Sequence, residues 1–112
     1  MTKIGEGNQP PKVPTEEQYR KDLDTSAAKF LNALESYDIT GDTEQKSQLK
    51  AIMDQQLALI RASVSELKNK GIYNQEIKVE SDYKQYMSDG SPDSLSALEQ
   101  DLGTLRDYNS AG

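Results

Sequence analysis

Residues 42–72 read DTEQKSQLKAIMDQQLALIRASVSELKNKGI, and this stretch decides the fold. It has the marks of one long α-helix with both ends written in. Asp42 followed three residues later by Gln45 is a capping-box pattern, in which the Asp side chain accepts a first-turn amide and the Gln reaches back. At the far end stands Lys68-Asn69-Lys70-Gly71-Ile72. Gly71 can take a left-handed conformation, and Ile72 can fold back on Leu67 in a Schellman motif. The two lysines suit the negative end of the helix dipole. Between the caps runs an apolar stripe, Leu49, Met53, Leu57, Ile60, Val64 and Leu67. Its steps of four and three are helical and close to a coiled-coil heptad.

The upstream segment repeats that register. Thr15 and Gln18 form a second capping-box pattern, and Tyr19, Leu23, Ala27, Phe30, Leu34 and Tyr37 follow at matching spacing. Asp38-Ile39-Thr40-Gly41 links the two stripes; Gly41 supplies the turn, and Ile39 is expected to tuck beneath it. Twin stripes on a short link predict a long antiparallel helical hairpin.

Downstream the pattern weakens. Residues 74–89 suggest a third helix capped by Asn74, with Ile77, Tyr83 and Met87 near one face. Yet Ile77 and Val79 alternate with charged residues as a strand would. No second strand offers itself as a mate, so helix is preferred, beginning at Asn74 or as late as Ser81. Asp89-Gly90-Ser91-Pro92 is a clear break. Ser91 is a good N-cap and Pro92 suits the first helical position. A last helix then carries Leu95, Leu98, Leu102, Leu105 and Tyr108, interrupted by Gly103. The expected fold is all-α, a hairpin completed by one or two shorter C-terminal helices into a three- or four-helix bundle. Residues 1–14, with three Pro and two Gly, read as a disordered leader, 15–108 as one helical domain, and 109–112 as a loose C-terminus.

Composition narrows the function. Only 34% of the 112 residues are hydrophobic and the mean hydropathy is -0.84, which suits the thin core of a bundle. The six Tyr are expected at the core margin with wet hydroxyls. Net charge is -6. Residues 1–73 hold 11 acidic and 10 basic residues, and residues 74–112 hold 8 and 3, so the acidity lies in the C-terminal third. That disfavours nucleic acid and anionic membranes as partners. With neither Cys nor His, thiol chemistry and the commonest general base and transition-metal ligand are missing. No stretch reads as a membrane span or a cleaved signal, which points to the cytoplasm or to export without a cleaved signal peptide.

Three constellations could carry chemistry, and each has a plainer explanation. Asp38 to Glu44 resembles the start of a calcium loop, but Gly41 is at the fourth position, and Leu49 stands where the closing Glu belongs. Glu76, Glu80, Asp82, Asp89 and Asp93 read as a solvated acidic face. Ser63 and Ser65 with Lys68 and Lys70 lack the companion motifs of a Ser–Lys nucleophile. No catalytic, cofactor or metal residues are therefore expected. The expected role is a non-enzymatic protein-interaction protein, such as a small acidic chaperone, adaptor or assembly factor. The alternatives are a self-assembling structural subunit, for example of a bacterial secretion machine, and, a poor third, an enzyme using a borrowed metal. The partner is then another protein or a second copy. Candidate contacts are Leu49, Met53 and Leu57 on the hairpin and Leu95, Leu98, Leu102 and Leu105 on the last helix, which either closes the core or docks on the partner.

Overall fold

A computed structural model describes residues 15–111. They form four helices: α1 Glu16–Ile39, α2 Thr43–Leu67, α3 Lys70–Asp89 and α4 Pro92–Ala111. The links hold two or three residues each, so sequential helices run antiparallel. Side-chain contacts fix the order round the bundle. Arg61 on α2 meets Glu80 on α3, and Asp54 meets Tyr83. Arg106 and Asn109 on α4 meet Asp24 and Arg20 on α1. The bundle is thus up-down-up-down, with α1 and α3 parallel across its diagonal, where Phe30 and Tyr83 pack edge to face at 5.3 Å.

Each helix contributes one seam. Leu23, Ala27, Phe30 and Leu34 come from α1, and Met53, Leu57, Ile60 and Val64 from α2, all buried. The α3 seam is Ile72, Glu76, Val79, Tyr83 and Tyr86, again in steps of four and three, with a carboxyl in an apolar slot. The α4 seam is Leu98, Leu102, Leu105 and Asn109. The alternation of Ile77 and Val79 resolves as helix: Val79 is buried and Ile77 faces outward.

The helix ends differ in detail from expectation. Thr15 caps α1 by accepting the Gln18 amide, but the Gln18 side chain turns to Asp22. Asp42 caps α2 through the Glu44 amide. Gln45 does not reach back to Asp42; it accepts the Thr40 hydroxyl, and that same oxygen accepts the Asp42 amide. The larger correction is at the other end of α2. Lys68, not Gly71, takes the left-handed conformation, at φ 53°. Asn69, not Asn74, then caps α3 by accepting the Ile72 amide, which leaves Gly71 in the first turn. Two residues suffice because one cap ends where the next begins. Ile39, expected beneath the first turn, is 83% exposed. The hairpin seams reach Leu34 and Met53 without it.

The C-terminus also departs from expectation. α4 continues past Tyr108 to Ala111 because Asn109 is buried and clamped. Its Nδ2 donates to the Arg20 carbonyl at 2.7 Å, and Arg20 donates to the Asn109 carbonyl at 2.6 Å. The expected leader, residues 1–14, and Gly112 lie outside the described residues.

Candidate functional site

The bundle encloses most of the apolar residues that sequence spacing singles out as partner contacts. Met53, Leu57, Leu98, Leu102 and Leu105 are core residues, while Leu49 and Leu95 are half-buried and pack against it. All seven belong to the closed bundle, and α4 lies between α1 and α3, diagonal to α2. A partner that used the five core residues would have to open the fold.

What remains outside is a surface on the back of α2. Exposed Ala51, Ile52, Gln55, Ala58, Leu59, Ala62 and Ser65 form a band four turns long. Between positions 51 and 65 the charged residues are Asp54 and Arg61, and both turn toward α3. Asp54 accepts the Tyr83 hydroxyl at 2.6 Å and pairs with Lys50; Arg61 grips both oxygens of Glu80. Asp54 and Arg61 are exposed at 49% and 56% of their side chains but flank the band on its α3 side, so in a chain with 29% charged residues the band itself runs four turns without a charge. Depletion of charge is the compositional mark of the centre of a protein interface. Leu59 and Ile52 stand on this face at 48% and 42% exposure.

The band continues into the outer groove between α1 and α2. Ser26, Gln56 and Ser63 form its floor, each about nine-tenths buried or more. Small side chains here let the two helices approach closely and leave a shallow channel. Gln56 Oε1 has no hydrogen-bond partner. An amide oxygen buried without a partner costs about 1–3 kcal/mol. Asp22, Lys29, Leu59 and Glu66 stand on its walls. The channel is open to a helix or strand of another protein, and Gln56 Oε1 lies buried beneath its floor.

The acidic residues are arranged otherwise than a solvated face. Glu76 is 2% exposed, and Asp82 is half-buried with Oδ2 unpartnered. Burial first, then the Glu80 carboxylate beside it, pushes the Glu76 pKa up to about 8. Burial and the facing Asp101 carboxyl push Asp82 up to about 6. Glu80 moves the opposite way, held down by Arg61 and by the Glu76 proton it accepts. The missed signal was the α3 seam itself: a helix begun at Asn69 puts Glu76 inward. Asp89 does stay at the surface, where the Gln85 amide and the Ser91 and Ser94 groups draw its pKa down to about 2. Asp93 is exposed, in the first turn of α4. Ser63 is buried in the α1/α2 groove floor, away from a nucleophile's position.

Two smaller features complete the surface. Tyr73 and Ile77 on α3 and Tyr108 on α4 are each about half exposed. A groove lined by Ile72, Gln75, Lys78 and Tyr108 lies between those helices. Among the described residues no group of three or more acidic, His or Cys side chains converges as a metal site would. No described helix is long and apolar enough to cross a membrane. No family model matches the chain, and neither a curated protein nor a solved structure does so.

Proposed function

We propose that this protein is a non-enzymatic interaction protein, an adaptor, chaperone or assembly subunit, that binds through the outer α1/α2 face as a closed bundle. One observation carries the reading: the strip of α2 from Ala51 to Ser65 that faces away from α3 holds no charged residue, because the two exposed charges of that stretch, Asp54 and Arg61, stand at its α3 edge and are paired there. Exposed Leu59 and Ile52 add apolar area to that neutral band. Patches of this kind mark docking surfaces when contiguous. The core leucines then act as scaffold, holding the face flat and rigid. Preorganised faces bind with less ordering cost than segments that must first unfold.

A photo-cross-linking residue placed at Ala58 tests this. In the protein's own cells, adducts should form from Ala58 and not from a control position at Glu17. Leu59→Arg should remove them while the purified variant keeps its helical signal and melting temperature. Equal adducts from both positions, or none from Ala58, would overturn the proposal.

A further inference from the structure

We propose that the occupant of this face is a second copy of the chain, packed antiparallel across a two-fold axis level with Ser26 and Leu59. The inference rests on the reading above that the outer α1/α2 face is the docking surface. Three observations select the second copy. The first is charge balance. Each copy carries a net charge of -6, and the excess lies in the C-terminal third, so two copies approaching through α3 and α4 repel. The α1/α2 face is where an acidic chain can meet itself without that penalty.

The second is the position of the groove's charges. Asp22 and Lys29 stand seven residues apart on the same side of α1, two turns from each other. Lys29 forms no ion pair among the described residues. An antiparallel partner turned about the level midway between them sets each Asp22 opposite the partner's Lys29, twice per dimer. A parallel partner, turned about an axis along the groove, would set α1 against the other copy's α2 and leave Asp22 and Lys29 facing uncharged residues. In the antiparallel arrangement Leu59 meets its own copy. Gln56, three residues to one side of the axis, faces the level of Ala62 and Ser63 on the other copy.

The third is size. Two adjacent helices of 24 and 25 residues present a face about 20 Å wide and 37 Å long by helix geometry. That is about 750 Å², close to the ~800 Å² per partner of a standard stable interface. One helix alone would present half as much.

Sedimentation equilibrium of the purified full chain over a concentration series reads the outcome. The expected mass is twice 12.5 kDa. Ala62→Arg, at an exposed helical position, should give a monomer with unchanged helical content. Asp22→Lys and Lys29→Asp should each raise the dissociation constant, by about tenfold since each change acts twice. Together they should restore it. A monomer at millimolar concentration overturns the second-copy inference. If Ala58 still cross-links to a different protein in cells, the face survives as a docking surface; if it does not, both fail. A dimer that persists in Ala62→Arg, or a double charge variant no tighter than the singles, overturns this geometry.

Discussion

At the scale of the residue, Glu76 sets how this protein responds to pH. Its pKa is raised from 4.5 to about 8, so the folded chain holds a proton there that the unfolded chain releases near pH 4.5. The stability this proton confers is full below about pH 4.5 and is lost as pH rises through 8. Asp82 adds a loss of the same sign between 3.8 and about 6. Asp89 acts the other way: lowered from 3.8 to about 2, it stabilises above pH 3.8 and fails as pH falls through 2. The melting temperature should therefore peak near pH 4–5 and decline toward pH 8.5, the reverse of the usual acid-labile protein. Glu76→Gln keeps the shape without the charge. It should stabilise the chain at pH 8.5 by about 1–3 kcal/mol, a buried polar group being relieved, and change little at pH 5. A Glu76→Gln melting curve that follows the parent at both pH values would show that Glu76 ionises freely. Tyr83 offers a simpler reading. Tyr83→Phe keeps the ring against Phe30 and loses the 2.6 Å bond to Asp54, so denaturant unfolding should show a loss of about 1 kcal/mol.

At the scale of the element, the helix ends invite substitution. Lys68 holds φ 53° with a side chain that makes this conformation costly. Lys68→Gly should stabilise by about 0.5–1 kcal/mol, and Lys68→Val should destabilise by at least that. Gly103 sits inside α4, where an added Cβ would meet no atom within 4 Å. Gly103→Ala should therefore gain about 1 kcal/mol. Urea titrations of the three variants check both statements. The same elements show what the sequence makes readable. The hairpin was legible because its caps and stripes are local: Thr15, Asp42 and two runs in steps of four and three suffice. The start of α3 was not, since Gly71 is a better left-handed residue than Lys68 by propensity alone. Asn69 prevails because capping α3 there turns Ile72 and Val79 inward onto the core. That choice is tertiary, and it also hid the burial of Glu76. The neutral back of α2 lay open in the sequence as a run with two charges, but their direction depends on Tyr83 and Glu80, which come from another helix.

At the scale of the whole molecule, α4 decides whether the bundle is one cooperative unit or a hairpin with a detachable arm. Leu98 and Leu105 are fully buried and Leu102 nearly so, and the end of the helix is tied to α1 by the reciprocal bonds of Arg20 and Asn109. Those bonds join positions 89 residues apart, near the two ends of the described chain. A constraint of that span couples first helix to last, so neither can fray without releasing a buried amide. Leu98→Ala should cost about 2–5 kcal/mol, as for other buried leucines. Ending the chain after Tyr108 removes the Asn109 side of the clamp and should cost about 1–3 kcal/mol. If the bundle is one unit, hydrogen exchange in α1 and α4 should quicken together in the shortened chain, with Arg20 and Asp24 among the first amides to lose protection. If exchange quickens in α4 alone while α1 and α2 keep full protection, α4 is separable and the seam behind it becomes available to a partner. The contacts of Asp101 support the first outcome, because opening α4 exposes Asp82 and Gln75 on α3, whose partner it is. The loss of α4 therefore disturbs the charge arrangement of α3, and partial opening should show the pH dependence of Asp82, between 3.8 and about 6, without that of Glu76.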